Sequence, residues 1–102
     1  MASLKRLVKL HLKPGKFAEF QDIFEYGKHV VTGSEGCQSV KLLQDDKNPD
    51  IAFTFSEWKN EGYLNKYRNS KEFRNYWPKI KFLLSKKTEV WNLSVIAEKT
   101  NN

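Results

Sequence analysis

The sequence predicts an α+β fold in the order strand–helix–strand–strand–helix–strand, and three observations predict it. Short stretches at residues 4–12, 37–44, 51–58 and 88–96 alternate with the period of two that marks strands. Two longer stretches, 16–32 and 71–84, carry apolar residues at the three-four spacing of one helical face. Only the run Asp45-Asp46-Lys47-Asn48-Pro49-Asp50 separates the second and third strands, so they form an antiparallel hairpin. With right-handed crossovers this order gives a four-stranded antiparallel sheet with the helices on one face, the ferredoxin-like βαββαβ arrangement.

Each element has its own justification. In the first strand Val8, Leu10 and Leu12 point one way and Lys9 and His11 the other; Pro14-Gly15 ends it. In the first helix Phe17, Phe20, Ile23, Phe24, Gly27, Val30 and Val31 form one stripe. Gly27 weakens that helix but lets a backbone or a bulky ring come close. The second strand is CQSVKLLQ, and the third places Phe53 and Phe55 opposite Ala52, Thr54 and Ser56. Asn60 caps a short helix over 61–68, and Ser70 caps the helix over 71–84, which Pro78 is expected to kink. Trp91, Leu93 and Val95 share one face of the fourth strand.

The chain of 102 residues is expected to be one domain, with its core at about 5–96 and a polar tail at 97–102. Hydrophobic residues make up 39% and aromatics 14%, so the apolar part rests on few but large side chains. The formal net charge of +6 admits nucleic acid, an acidic membrane or an anionic ligand as partner, yet the lysines are scattered as on an ordinary solvated surface. The single Cys37 permits no intrachain disulfide, and a lone thiol beside a strand reads as a small hydrophobe. The first residues, MASLKRLVKLHLK, have no uninterrupted apolar run, so no signal peptide or membrane partner is expected and the cytoplasm is the expected location.

Helices on one face leave the other sheet face bare, and Phe53 and Phe55 there call for a partner sheet. The small residues Ala52, Thr54 and Ser56 then lie beneath two aromatic-rich helices. A homodimer through the Phe53/Phe55 face, with a cavity inside each protomer, is the expected result. The cavity is expected to be lined by Thr54, Trp58, Tyr67 and Trp77 together with Phe20 and Phe24 of the first-helix stripe.

Several features together resemble the antibiotic-biosynthesis-monooxygenase (ABM) domain of the dimeric α+β barrel superfamily. They are Trp58 at the end of a strand before a short helix, the KPGK turn at 13–16, the SEGC lead-in at 34–37 and the Asn-Ser-x-x-Phe run at 69–73. The resemblance runs from about residue 5 to residue 96. It implies sheet-to-sheet pairing of two ferredoxin-like protomers and a pocket between each sheet and its helices. It also implies a cofactor-independent monooxygenase, or a binder of small hydrophobic or aromatic molecules, with no cofactor.

Residue by residue the resemblance carries the scaffold further than the chemistry. Trp58 matches the family tryptophan. The family asparagine four positions before it is Thr54 here, and the tyrosine six positions after it is Leu64, with Tyr63 beside it. Trp58, Thr54 and Tyr63 are therefore the candidate catalytic residues. In the haem-degrading branch an asparagine falls at Val8 and the iron-ligating histidine at Trp77, so both are replaced. His11 and His29 are the only histidines, no acidic or thiol cluster has ligand spacing, and no metal is expected. No nucleotide-binding glycine motif is present.

Two other classes stay open. One is a non-catalytic dimeric interaction or sensor domain. The other is an RNA-binding module, since RNA-recognition motifs share this topology, but strand three lacks their glycine-bearing aromatic signature and strand one offers no aromatic to stack. Arg68 and Arg74 are candidates to hold an acidic group at the pocket rim.

Overall fold

A computed structural model describes residues 3–99. The elements are β1 (Leu4–His11), α1 (Phe17–Thr32), β2 (Cys37–Gln44), β3 (Ile51–Trp58), α2 (Glu61–Arg68), α3 (Lys71–Phe82) and β4 (Glu89–Leu93). The strands pair antiparallel in the order β2-β3-β1-β4, which is the ferredoxin-like sheet. Among the described residues no helix is long and apolar enough to cross a membrane.

The register between β1 and β3 sorts the side chains. Leu4, Arg6, Val8 and Leu10 stand opposite Trp58, Ser56, Thr54 and Ala52, and this face lies under the helices. Leu10, Ala52 and Trp58 are almost completely buried there, with Phe20 and Leu64 closing over them from the helix layer. The other face carries Leu7, Phe53 and Phe55 in the middle, with Leu43 on β2 and Trp91 and Leu93 on β4. Trp91 is 41% and Leu93 42% exposed, so a broad apolar surface faces outward.

Local chemistry fixes the helices. The side chain of Asn60 accepts a hydrogen bond from the Tyr63 amide at 3.2 Å, and Ser70 accepts one from the Phe73 amide at 3.1 Å. Each satisfies one of the amides that a helix start leaves without a partner. Pro78 lies within α3, and Ile80 beyond it is still buried on the same face as Tyr76. Gly27 performs the task its position implies, because a Cβ there would come within 3.2 Å of the Tyr76 ring. Gly36 has φ +83 and its missing Cβ makes room for the Tyr63 ring, so both its conformation and its surroundings require glycine.

Several boundaries differ from expectation. α1 begins at Phe17, with Lys16 as its N-cap. β1 ends at His11, and Leu12 makes an isolated bridge with Leu84 instead. That bridge, with the Lys13 amide donating to the Leu83 carbonyl at 2.8 Å, ends α3 two residues early. β4 covers 89–93 where 88–96 was expected. Its pairing with β1 runs from Lys9↔Glu89 to Lys5↔Leu93, and Ile96 beyond it is 93% exposed.

Candidate functional site

Thr54 and Ser56 are small, and the space above them is not filled by the surrounding rings. A cavity of about 230 Å³ lies between the helix face of the sheet and all three helices. Its floor is made by Arg6 and Val8 of β1 with Thr54, Ser56 and Trp58 of β3. Phe20 and Phe24 descend from α1, Tyr67 and Arg68 from α2, and Tyr76 and Trp77 from α3. Val90 lies on the same side of β4 and remains 43% exposed, so the cavity reaches the surface along that strand.

The aromatic residues form a wall by packing on one another. Trp58 lies against Tyr67 with ring centroids 5.1 Å apart, and Tyr67 meets Phe73 edge-on at 5.2 Å. Phe73 in turn meets Tyr76 at 5.6 Å and stacks on Trp77 at 5.8 Å. These edge-on, tilted and stacked geometries suit the ring quadrupoles, so the rings brace one another along the wall.

The polar groups divide into those already used and those still open. Trp58 is 1% exposed, and its indole N–H donates to Ser56 Oγ at 3.0 Å. Trp58, a candidate catalytic residue from the sequence, is here a wall whose single donor is engaged within the protein. Tyr63 is also displaced from its expected place. α2 turns Leu64 and Tyr67 inward, while Tyr63 packs over Gly36 and does not line the cavity. By contrast, the hydroxyls of Thr54, Tyr67 and Tyr76 make no side-chain hydrogen bond among the described residues. None of them is a sealed polar atom without a partner. Each therefore reaches open space, and all three residues line the cavity.

The cavity also contains two groups with large electrostatic consequences. Arg6 stands beside Ser56 in the middle of the sheet, and its ordinary pKa is lowered by burial and by the like charge of Arg68. Burial pushes the Tyr76 phenol well above its ordinary value of 10.0, against the opposing pull of Arg6. Tyr76 is thus a neutral hydrogen-bond donor throughout the physiological range, not a base. As a raised phenol it leaves folding stability unchanged below about pH 10 and weakens it as the pH climbs further, when only the unfolded chain ionises.

Of the other candidates, Arg74 is exposed and does not line the cavity. Cys37 also stays outside it; burial raises its thiol pKa and the S–H donates to the Ser39 carbonyl at 3.8 Å, so it has little thiolate character. His11 pairs with Glu89 at 2.6 Å on the bare side of the sheet, away from the cavity, and His29 is exposed on α1. Among the described residues no three His, Cys, Asp or Glu side chains are grouped for a metal ion.

The family profile described as antibiotic biosynthesis monooxygenase matches residues 4–79 of the chain. The chain belongs to the ABM family. That match takes in both long helices up to Lys79 and every cavity residue named above except Val90. No curated protein matches this ABM chain. Among solved structures, a conserved protein from Methanosarcina mazei Go1 is 29% identical, with TM-score 0.86 over 91% of this chain and 92% of that one. A Bordetella bronchiseptica protein named for the same monooxygenase family has TM-score 0.87 at 14% identity, over 95% of this chain and 100% of that one. A protein of unknown function from Nitrosomonas europaea has TM-score 0.80 at 20% identity, over 100% of this chain and 97% of that one.

Within the ABM fold the residue at 77 sets one limit. Trp77 is held flat against Phe73, and an indole has a donor but no lone pair for iron. Titration with haemin is expected to give no sharp ligated absorption spectrum and no product with a reductant; either one would contradict this placement.

Proposed function

We propose that this ABM chain binds a one- or two-ring aromatic molecule between its sheet and its helices and acts on it as a cofactor-free monooxygenase. The observation that carries the reading is the cavity. Its volume is about 230 Å³, and an apolar cavity of about 150 Å³ is enough for benzene. A fused two-ring molecule is the upper limit unless the walls move. Aromatic walls, a few open hydroxyls and a path to solvent are what a binding site for such a molecule needs.

The chemistry follows from what the lining holds. Among the described residues it contains no histidine and no carboxylate, so no side chain there is placed to act as a strong base. A suitable substrate ionises by itself, as a quinol or an activated methylene does. Its carbanion passes an electron to O₂, and recombination gives a hydroperoxide. Loss of water then leaves a ketone, with one oxygen atom in the product and the other in water, and no outside reductant is needed. The protein excludes water and supplies donors to the developing oxyanion. Thr54 occupies the family asparagine's position but offers one hydroxyl where an amide offers both a donor and an acceptor carbonyl. Tyr67 and Tyr76 are the further donors.

The working unit in this proposal is a homodimer closed through the Phe53/Phe55 face. The outward apolar surface on β1, β3 and β4 favours that arrangement.

Oxygen uptake with a naphthalene quinol tests the catalytic part. Uptake above the uncatalysed rate, reduced in Thr54→Val, is the expected result. No acceleration by the wild type, with binding intact, would leave a non-catalytic ligand-binding domain.

A further inference from the structure

The charge of the cavity has no counterpart inside it. Arg6, Lys28 and Arg68 all line it, and no aspartate or glutamate does. Twelve acidic residues are available in the chain, so the exclusion is not for want of supply. Lys28 is partnered by Glu25 at 2.6 Å. Neither arginine forms an ion pair among the described residues.

An unpaired guanidinium partly withdrawn from water is costly, and a second one nearby adds repulsion. For Arg68 an ordinary reason exists, because it lies in the last turn of α2 and complements the helix dipole. No such reason applies to Arg6. It sits in the interior strand β1, between Ser56 of β3 and Asn92 of β4, on the face that turns Val8 and Leu10 into the core. Its neighbours along that face of β1, Leu4, Val8 and Leu10, are all apolar.

We infer that Arg6 and Arg68 together form an oxyanion clamp. The occupant is a one- or two-ring aromatic molecule carrying a planar anionic oxygen group, a carboxylate or an ionised phenol. This inference rests on the reading of the cavity as a ligand site and names the class of ligand it selects. The guanidinium fork matches such a group with two parallel hydrogen bonds. The neutral Tyr76 phenol adds a further donor, and the Ser56 hydroxyl, which already accepts from Trp58, keeps its own proton to donate. The rings of the ligand then rest on the Tyr67–Phe73–Trp77 wall. For the proposed oxygenation the same clamp lowers the pKa of a bound phenol, which supplies ionisation where no base is available.

The test compares 2-naphthoate with its neutral isostere 2-naphthamide by calorimetric titration of the full chain, in wild type, Arg6→Met and Arg68→Met. Methionine keeps much of the apolar stem and removes the charge. Wild type is expected to prefer naphthoate by roughly ten- to a hundredfold, the worth of hydrogen bonds to a charged group. Each variant is expected to bring the ratio towards one while retaining naphthamide. If Arg6→Met does not fold, Arg68→Met, on an exposed helix end, still decides. Equal binding of the two probes by wild type would overturn the clamp and leave the cavity reading standing. A preference that survives in every folded variant would overturn it too. No binding of either probe would remove both readings. A scan of 2-naphthol from about pH 7 to about pH 10 separates the two oxyanions. Affinity that rises as the phenol ionises supports phenolates as occupants; unchanged affinity overturns them and leaves carboxylates.

Discussion

Trp58→Ala is expected to lose about 3–5 kcal/mol of folding stability, the range for emptying a large aromatic site in a packed core. Trp58 is 1% exposed, lies 5.1 Å from the Tyr67 ring and donates to Ser56 within the core. Its removal opens a void under α2 and takes away the partner of a buried hydroxyl. Small domains hold only about 5–15 kcal/mol in total, so the variant should melt tens of degrees lower or fail to fold at 37 °C. Trp58→Phe is the informative companion. It keeps most of the ring and loses the indole hydrogen bond, worth about 0.5–1.5 kcal/mol. Thermal melts of the two decide whether Trp58 acts as a wall. A Trp58→Ala protein as stable as wild type, with oxygen uptake abolished, would make it a catalytic residue and contradict this account.

The second large effect is at the bare sheet face. Phe53→Asp is expected to convert the proposed homodimer into a monomer. In a single protomer the new carboxylate is tolerable, because Lys9 stands directly across from it on β1 and water reaches the face. Against a partner sheet it becomes a buried charge, at a cost of about 3–5 kcal/mol when unpaired. A two-fold interface meets the change twice, so the dissociation constant should rise by roughly a thousandfold or more. Phe55→Asp, flanked by Leu7 and Lys41, is expected to act alike. Light scattering reads the result: wild type at twice the 12.0 kDa chain mass and the variant at that mass. A wild type that is monomeric at micromolar concentration would remove the dimer.

The architecture was legible because it rests on periodicity and turn chemistry. The alternation of β3, the stripe of α1 and the caps Asn60 and Ser70 each state a local geometry, and the sheet follows from their order. The strand and helix ends were less legible. Where β4 stops depends on how far it pairs with β1, and where α3 stops depends on the Leu12–Leu84 bridge; both are contacts across the chain. Within the site, Thr54, Trp58, Tyr67, Trp77, Phe20 and Phe24 all line the cavity. Volume pointed there, as small strand residues beneath large helical ones, and the family resemblance implied the same space.

What sequence reasoning missed is polar. Arg6 escaped attention because the alternation was read from Val8 onward. Carried two residues further back, the pattern Leu12, Leu10, Val8 places Arg6 on the apolar side, and that signal was available. The engagement of the Trp58 indole by Ser56 was less accessible, since two residues on one strand face show neither their rotamers nor their distance. Tyr63 was set beside Leu64 at the family tyrosine position. A shift of one residue on a helix turns a side chain by about a quarter-turn or more, here out of the cavity and onto Gly36.

The central claim is that the space between sheet and helices receives a small aromatic ligand. Titration of the isotope-labelled chain with 2-naphthol, followed by amide and methyl NMR shifts, tests it most directly. Saturable shifts are predicted at Val8, Thr54, Tyr67 and Trp77, with Phe53 and Phe55 on the opposite sheet face unmoved. Shifts confined to the Phe53/Phe55 face, or no saturable shift at all, would contradict the account.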